Sequence, residues 1–331
     1  MSGVADPEVA PTGPVAVVRG LRVEVAAGGE PVLPGIDLDV AAGEVVGLAG
    51  ETGSGKSTLG LALLGFTAPG LATVGGQVEV DGERLSGRSV AALRTLRGRI
   101  VASVPQDPAS ALSPTLRAGD AVREVLAAHG VGDRDARTAE LFAAVGLDPA
   151  LARRYPHQLS GGQQQRVTIA VAFALSPRLV VMDEPTTGLD VTTTRTIVDL
   201  VRDLAVRERT GVVFISHDLR LLLSFADRVL VMLGGRVVEQ APAAELRATA
   251  RHPYTRRLLA ALPPVGPGAG ESAARTSARP APPDERPDAA PARYALELAA
   301  VSARHGSTEV THGVDLRVTA GQCLALVGES G

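Results

Sequence analysis

At 331 residues the chain exceeds one ordinary domain, so one large domain with something added to it is expected. A formal net charge of -3, with both signs interspersed, leaves no electrostatic footprint for nucleic acid, and neither DNA nor RNA is indicated as a partner. The one cysteine, Cys323, excludes an internal disulfide and a cysteine-ligated metal site; its apolar setting at 323–327 reads as a core position.

Residues 1–14 hold three prolines, Asp6, Glu8 and neither Lys nor Arg, the reverse of a secretory signal, and read as a disordered tail. Short apolar runs at 15–18, 36–40 and 45–49 read as strands. Directly after the third come Gly50, Glu51, Thr52, Gly53, Ser54, Gly55, Lys56 and Ser57. This is the phosphate-loop pattern: a glycine, four residues, then glycine, lysine and serine. The stretch 58–64 has few breakers and reads as a helix, which puts the loop at a helix N-terminus, where unpaired N–H groups and the helix dipole face an anion. Gly53 and Gly55 have no Cβ to hold phosphate oxygens away from the backbone. Lys56 supplies a point charge for the β- and γ-phosphates and the Ser57 hydroxyl a ligand for Mg²⁺. The uncharged stretch 57–78 is long enough for a membrane span, but Pro69-Gly70 and Gly75-Gly76 break it. The chain is therefore expected in the cytosol, meeting a membrane only through a partner.

Further strands are expected at 77–80 and 100–104, and Gln106 follows the second. From Gln106 to Ser160, 54 positions on, the chain is rich in Ala and Leu and reads mostly as helix. Leu159, Ser160, Gly161, Gly162 and Gln163 then precede a helix expected to begin near Gln163, a second N-terminus able to face an anion. The apolar run 179–182 ends in Asp183 and Glu184. Carboxylates at the end of a buried strand are costly unless a cation or a proton is shared there. His217 follows a strand expected at 212–215, and strands are expected at 229–233 and 236–239. Taken singly, a Gln, a His or an Asp-Glu pair is more simply a satisfied surface group. Taken together they fall at or just after the carboxyl ends of strands, where ligands bind in parallel α/β sheets.

His252, Pro253, Tyr254 and Thr255 read by themselves as a helix start, with proline at the first helical position. From 263 to 292 the composition shifts to Pro, Gly, Ala, Ser and charged residues, as in a linker that buries too little to order itself. Residues 293–331 then repeat the beginning of the chain. Val314-Asp315-Leu316 parallels Ile36-Asp37-Leu38, Ala320-Gly321-Gln322 parallels Ala42-Gly43-Glu44, and Gly328-Glu329-Ser330-Gly331 parallels Gly50-Glu51-Thr52-Gly53, all offset by 278 positions (Gly50 to Gly328). A second copy begins and stops before its lysine, so the chain is expected to be part of a longer tandem protein.

The order of phosphate loop, Gln106, LSGGQ, Asp183-Glu184 and His217 resembles the ATP-binding cassette (ABC) ATPases over residues 15–263. The resemblance implies an α/β P-loop NTPase fold: an ABC ATP-binding domain at 15–262 with a mixed-sheet core, an antiparallel β subdomain and a helical subdomain at about 107–175. It implies ATP held by Gly50, Glu51, Thr52, Gly53, Ser54, Gly55, Lys56, Ser57, Thr58 and Gln106, and Mg²⁺ held by Ser57, Gln106 and Asp183. Glu184 would be the general base and His217 the contact to the γ-phosphate. Ser160, Gly161, Gly162 and Gln163 would close on the ATP of a facing cassette, with the turn Thr187, Gly188, Leu189, Asp190 joining the two sites; many relatives carry alanine where Gly188 stands.

Two further stretches, 106–114 and 251–263, resemble importers for oligopeptides, dipeptides and nickel. The function so implied is the ATP-hydrolysing subunit of such an importer, peripheral at the cytoplasmic face of the cell membrane. Its partners would be a second cassette, two transmembrane permease subunits and an extracytoplasmic solute-binding protein. The alternative is a soluble tandem-cassette ATPase acting on the ribosome, whose linker is a long charged helix rather than a Pro-rich segment. A nucleotide-binding regulator without turnover would not need Lys56, Asp183, Glu184 and His217 together. One departure is Val25, near the place where these cassettes stack adenine on an aromatic ring. His305 holds the corresponding place in the second copy, and a stacking term of about 1–3 kcal/mol is missing at Val25, so weak adenine discrimination is expected.

Overall fold

The computed structural model describes residues 13–262, 294–306 and 308–326, which fall into two units separated after Leu262. The expected tail before residue 13, the linker at 263–292 and the half phosphate loop at 328–331 lie outside the described residues.

The first unit opens with β1 (Ala16–Val25), β2 (Pro31–Val40) and β3 (Val45–Gly50), which leads into α1 (Lys56–Leu63). It continues with β4 (Leu71–Val80), β5 (Glu83–Arg84), α2 (Val90–Arg94) and β6 (Val101–Val104). Four helices follow: α3 (Pro108–Ala111), α4 (Ala118–Ala128), α5 (Arg134–Ala144) and α6 (Gly161–Ala172). The chain then returns to the sheet with β7 (Leu179–Asp183), α7 (Val191–Glu208), β8 (Gly211–Ile215), α8 (Leu219–Phe225), β9 (Arg228–Leu233) and β10 (Arg236–Pro242). The unit closes with α9 (Leu246–Thr249) and α10 (Pro253–Ala260).

Six strands form one mixed sheet in the order β10-β9-β3-β8-β7-β6, parallel throughout except for β10 at one edge. Its inner strands are apolar at successive positions because both faces are covered, as parallel sheets require. Val45, Val180, Met182, Val212 and Phe214 turn to one face, where α4 to α8 pack. Val46, Leu48, Val181, Val213 and Ile215 turn to the other, against α1 and a four-stranded antiparallel sheet ordered β2-β1-β4-β5. One face of β1 is wet, with Arg22 exposed between buried Leu21 and Val23, so β1 runs well past the apolar run 15–18. β4 likewise begins at Leu71, before the glycine pair.

α4 and α5 bury Val122, Leu126, Leu141 and Phe142 against Val167, Ile169 and Phe173 of α6 and the loop after it. Their starts are fixed by side chains: Asp107 caps α3, Asp133 caps α5 and Ser160 caps α6, each accepting a backbone N–H that a helix start leaves unpaired. α6 starts at Gly161, two residues before the sequence-based expectation, because Ser160 ends the extended segment.

The second unit is a hairpin of β11 (Tyr294–His305) and β12 (Thr308–Thr319). It repeats irregular features of β1 and β2. In the first unit Gly20 takes φ 55°, the register shifts between Val18 and Leu21, and the Asp37 carboxylate accepts the Gly20 N–H at 2.8 Å. In the second, Ala300 takes φ 48°, the register shifts between Leu298 and Val301, and Asp315 accepts the Ala300 N–H at 2.8 Å. The turns after the hairpins match as well: Glu44 accepts the Ala41 N–H at 2.8 Å and Gln322 accepts the Thr319 N–H at 2.9 Å. The second strand keeps the offset of 278 and the first has 280 (Gly20 to Ala300), the hairpin loop being two residues shorter. That register makes His305 the equivalent of Val25 in the repeat. Cys323 is not a core residue, against expectation. It is exposed, as are Leu324 and Leu326, because the run after Gln322 lies in no strand among the described residues and nothing packs over it.

Candidate nucleotide site

β3 and α1 present the loop from Gly50 to Ser57. Gly50 takes φ 151°, and a Cβ there would sit 2.4 Å from the Met232 carbonyl oxygen of β9, so only glycine fits. Gly55 takes φ 94° as the cap of α1, leaving the first-turn N–H groups of Lys56, Ser57 and Thr58 at the mouth of the loop. Lys56 is 7 % exposed, and its ammonium donates to the carbonyls of Gly50 at 2.8 Å and Glu51 at 2.9 Å. Burial lowers the Lys56 pKa from its ordinary value, while Glu184, Asp183 and Glu51 pull it back up. The Ser54 hydroxyl is buried beside the loop without a hydrogen-bond partner. Groups from outside hold the loop's backbone: the Gly235 N–H donates to the Ser54 carbonyl at 3.1 Å, and the Glu51 N–H donates to the Tyr254 hydroxyl at 2.9 Å.

The acidic pair comes from the end of β7. Burial raises the Asp183 pKa; the Ser57 hydroxyl bonds the carboxylate and opposes this, the like charge of Glu184 adds to it, and Lys56 opposes it. Ser57, Gln106 and Asp183 line a single cavity of about 160 Å³ next to α1. A hydroxyl, an amide and a carboxylate are hard oxygen donors of the kind Mg²⁺ takes, and Mg²⁺ completes its shell with water and phosphate rather than with a protein cage. The residues present therefore fit the ion.

Glu184 takes φ 46°, a left-handed backbone, and its N–H donates to the Ile215 carbonyl of β8 at 3.0 Å. That places its carboxylate beside the second residue after β8: His217 Nδ1 lies 3.0 Å from Glu184 Oε2, with the imidazole largely exposed. The Thr187 hydroxyl donates to the same oxygen at 3.1 Å. In sequence Thr187 reads only as part of a turn, and its place three residues after Glu184 is the one signal of this contact. Lys56, Ser57, Gln106, Asp183, Glu184 and His217 thus gather at the carboxyl ends of β3, β6, β7 and β8. Such a group can take a polyphosphate at the loop, a cation between Ser57 and Asp183, and a water beside Glu184.

The LSGGQ residues stand apart from that gathering in their bonding. The Gln163 side chain accepts the Ser160 N–H at 3.0 Å, and Ser160 Oγ accepts the Gln163 N–H at 3.4 Å, a reciprocal cap on α6. Ser160 and Gly161 are exposed, and Gly162 lies against Thr193 in the first turn of α7. Asp190 caps α7 by accepting the Thr193 N–H and hydroxyl, both at 2.8 Å. The tip of α6 is an open helix start facing outward, able to meet an anion brought by another molecule.

Comparison with known proteins gives one family. The ABC transporter family model matches residues 33–187. The oligopeptide transport ATP-binding protein OppD of Lactococcus lactis subsp. cremoris (strain SK11) is 40% identical over 233 residues, which is 69% of this chain and 69% of OppD. The peptidoglycan transport ATP-binding protein YejF of Agrobacterium fabrum is 44% identical over 231 residues, 69% of this chain but 41% of YejF, so the chain spans less than half of that relative. Among solved structures, a dimer of the ATP-binding cassette MJ0796 in a post-hydrolysis state bound to ADP and Pi matches with TM-score 0.61 and 28% identity, covering 69% of this chain and 98% of MJ0796. The expected fold class, a P-loop α/β cassette with an added antiparallel sheet, is the one found.

Proposed function

The chain belongs to the ABC transporter family, and from that premise we propose that it is the ATP-hydrolysing subunit of a peptide importer. One observation carries the proposal: Lys56, Asp183, Glu184 and His217 converge at the ends of adjacent strands in a chain 40% identical to an oligopeptide transport protein. Nickel or another small solute is the runner-up cargo.

In this proposal Gly50 to Thr58 cradle the phosphates of ATP, and the Lys56 ammonium moves from the Gly50 and Glu51 carbonyls to the incoming charge. Ser57, Gln106 and Asp183 would hold Mg²⁺, which when bound neutralises charge on the β- and γ-phosphates. Glu184 takes the proton of the attacking water, held in place by the Thr187 hydroxyl and by its own backbone bond to Ile215. His217, 3.0 Å from Glu184, contacts the γ-phosphate and keeps that carboxylate oriented. Ser160, Gly161, Gly162 and Gln163 complete the site of a facing cassette, as the outward start of α6 allows. Residues 294–326 open that second cassette, a reading supported by the recurring bulge and by the Asp315 bond that matches Asp37. The helices from α3 to α6 serve as the subdomain that meets one of two permease subunits at the cytoplasmic face of the membrane, and an extracytoplasmic protein delivers the solute. Among the described residues no helix is long and apolar enough to cross a membrane.

The test is uptake of a labelled oligopeptide by cells lacking the gene. A wild-type copy is expected to restore uptake and a Glu184→Gln copy to fail. Normal uptake without the gene, together with co-sedimentation of the chain with ribosomes, would favour the ribosomal alternative.

A further inference from the structure

The segment after β10 reaches back to the phosphate loop. Tyr254, in the first turn of α10, is 5 % exposed, and its hydroxyl accepts the Glu51 N–H at 2.9 Å across 203 residues of chain. The start of α10 is itself fixed. The Glu239 carboxylate of β10 accepts the Arg251 N–H at 2.6 Å and the His252 N–H at 3.2 Å, and His252 Nδ1 accepts the Tyr254 N–H at 3.2 Å. β10 pairs with β9, β9 pairs with β3, and β3 runs into the loop, so the contact closes a circuit of backbone and side-chain bonds.

The loop needs such a hold. Gly50, Gly53 and Gly55 all take positive φ, which leaves the backbone between them few steric limits of its own. At Glu51 the Lys56 ammonium and, at 3.2 Å, the Ser54 N–H meet the carbonyl from within the loop, and the Tyr254 hydroxyl meets the N–H from outside it. A polyphosphate at the loop would draw the ammonium toward its charge, and the Tyr254 hydroxyl on the Glu51 N–H comes from α10 and does not depend on that ammonium. We propose that Tyr254 is a positioning residue for the phosphate loop, its hydroxyl holding Glu51 so that the loop keeps the shape that receives nucleotide phosphates. The inference rests on the reading that this loop binds ATP.

The test uses the full chain, titrated at equilibrium with a fluorescent ATP analogue and Mg²⁺. Tyr254→Phe removes only the hydroxyl. It is expected to raise Kd about threefold to tenfold, the range set by the loss of one hydrogen bond, and to speed deuterium exchange at the Glu51 amide. The melting temperature of the nucleotide-free chain should change little. Leu258→Ala, which thins the packing of α10 without touching the loop, should lower the melting temperature and leave Kd within about twofold. A Tyr254→Phe Kd within twofold of wild type would overturn the proposal. So would weakened binding in both variants in proportion to their lost stability, since the role would then be structural alone. Lys56→Ala tests the underlying reading separately: if it binds as wild type does, the loop is not the nucleotide site, and the role given to Tyr254 falls with it.

Discussion

Replacing Glu184 by glutamine separates nucleotide binding from bond breaking. The amide has the size of the carboxylate, and its oxygen can still accept the Thr187 hydroxyl that now lies at 3.1 Å. The backbone bond from Glu184 to Ile215 is untouched, so the left-handed backbone there stays as it is. What changes is charge and basicity. One negative charge is removed beside Asp183, and ATP brings more negative charge to the same place, so its Kd is expected to stay equal or fall. Proton transfer by a positioned base is worth about 10²–10⁴-fold in rate, or about 3–5 kcal/mol in the barrier. Turnover should fall by that factor while binding is kept. Phosphate release at saturating ATP, alongside equilibrium binding, measures both. Turnover within about threefold of wild type would remove Glu184 from the role of base, and parallel loss of binding and turnover would make its role structural.

Asp183→Asn should stabilise the nucleotide-free chain by about 0.5–2 kcal/mol while weakening MgATP binding. Burial raises the Asp183 pKa, so the folded chain holds that proton more tightly than the unfolded one. Its stabilising contribution is present below the ordinary carboxylate pKa and is lost as pH rises through the folded value. Burial disfavours the carboxylate form, so above the folded value the charge works against folding, and a lower melting temperature for the variant in that range would contradict this. Phe214 is fully buried, edge-on to Phe225 at 4.8 Å, and Phe214→Ala should cost about 3–5 kcal/mol in a denaturant titration; a cost below about 1 kcal/mol would mean the site collapses around the gap. Val25 is 39 % exposed at the end of β1 and offers no ring to a base, so ATP and GTP should bind with affinities within about threefold. A strong preference for ATP would place the adenine elsewhere.

The central sheet was legible because its inner strands hold unbroken uncharged, mostly apolar runs: 45–49, 179–182, 212–215 and 229–233 correspond to β3, β7, β8 and β9 within a residue. The strands of the antiparallel sheet were read short. β1 alternates buried and wet residues and carries a bulge at Gly20, and β4 begins in a glycine-containing stretch that reads as a break. The short β5 and α2 left no period to detect. Local motifs picked out Lys56, Asp183 and Glu184, which lie at or just after the ends of β3 and β7. They could not reveal Tyr254, whose helix start was marked by Pro253 but whose partner lies at the other end of the domain. Cys323 shows the converse limit: an apolar run signals a core only where other elements arrive to cover it.

In the proposed mechanism a nucleotide at Lys56 is hydrolysed only when the Ser160 tip of a facing cassette closes on it. Mixing two inactive variants of the full chain tests this most directly. Lys56→Ala keeps the tip of α6 but loses its own phosphate site, and Ser160→Arg keeps the phosphate site but offers no usable tip. Each variant alone is expected to be inactive, and an equimolar mixture should recover ATP hydrolysis, because one composite site joins Lys56 of one chain to Ser160 of the other. Full hydrolysis by Ser160→Arg alone, at a rate per molecule independent of concentration and unchanged on mixing, would contradict it.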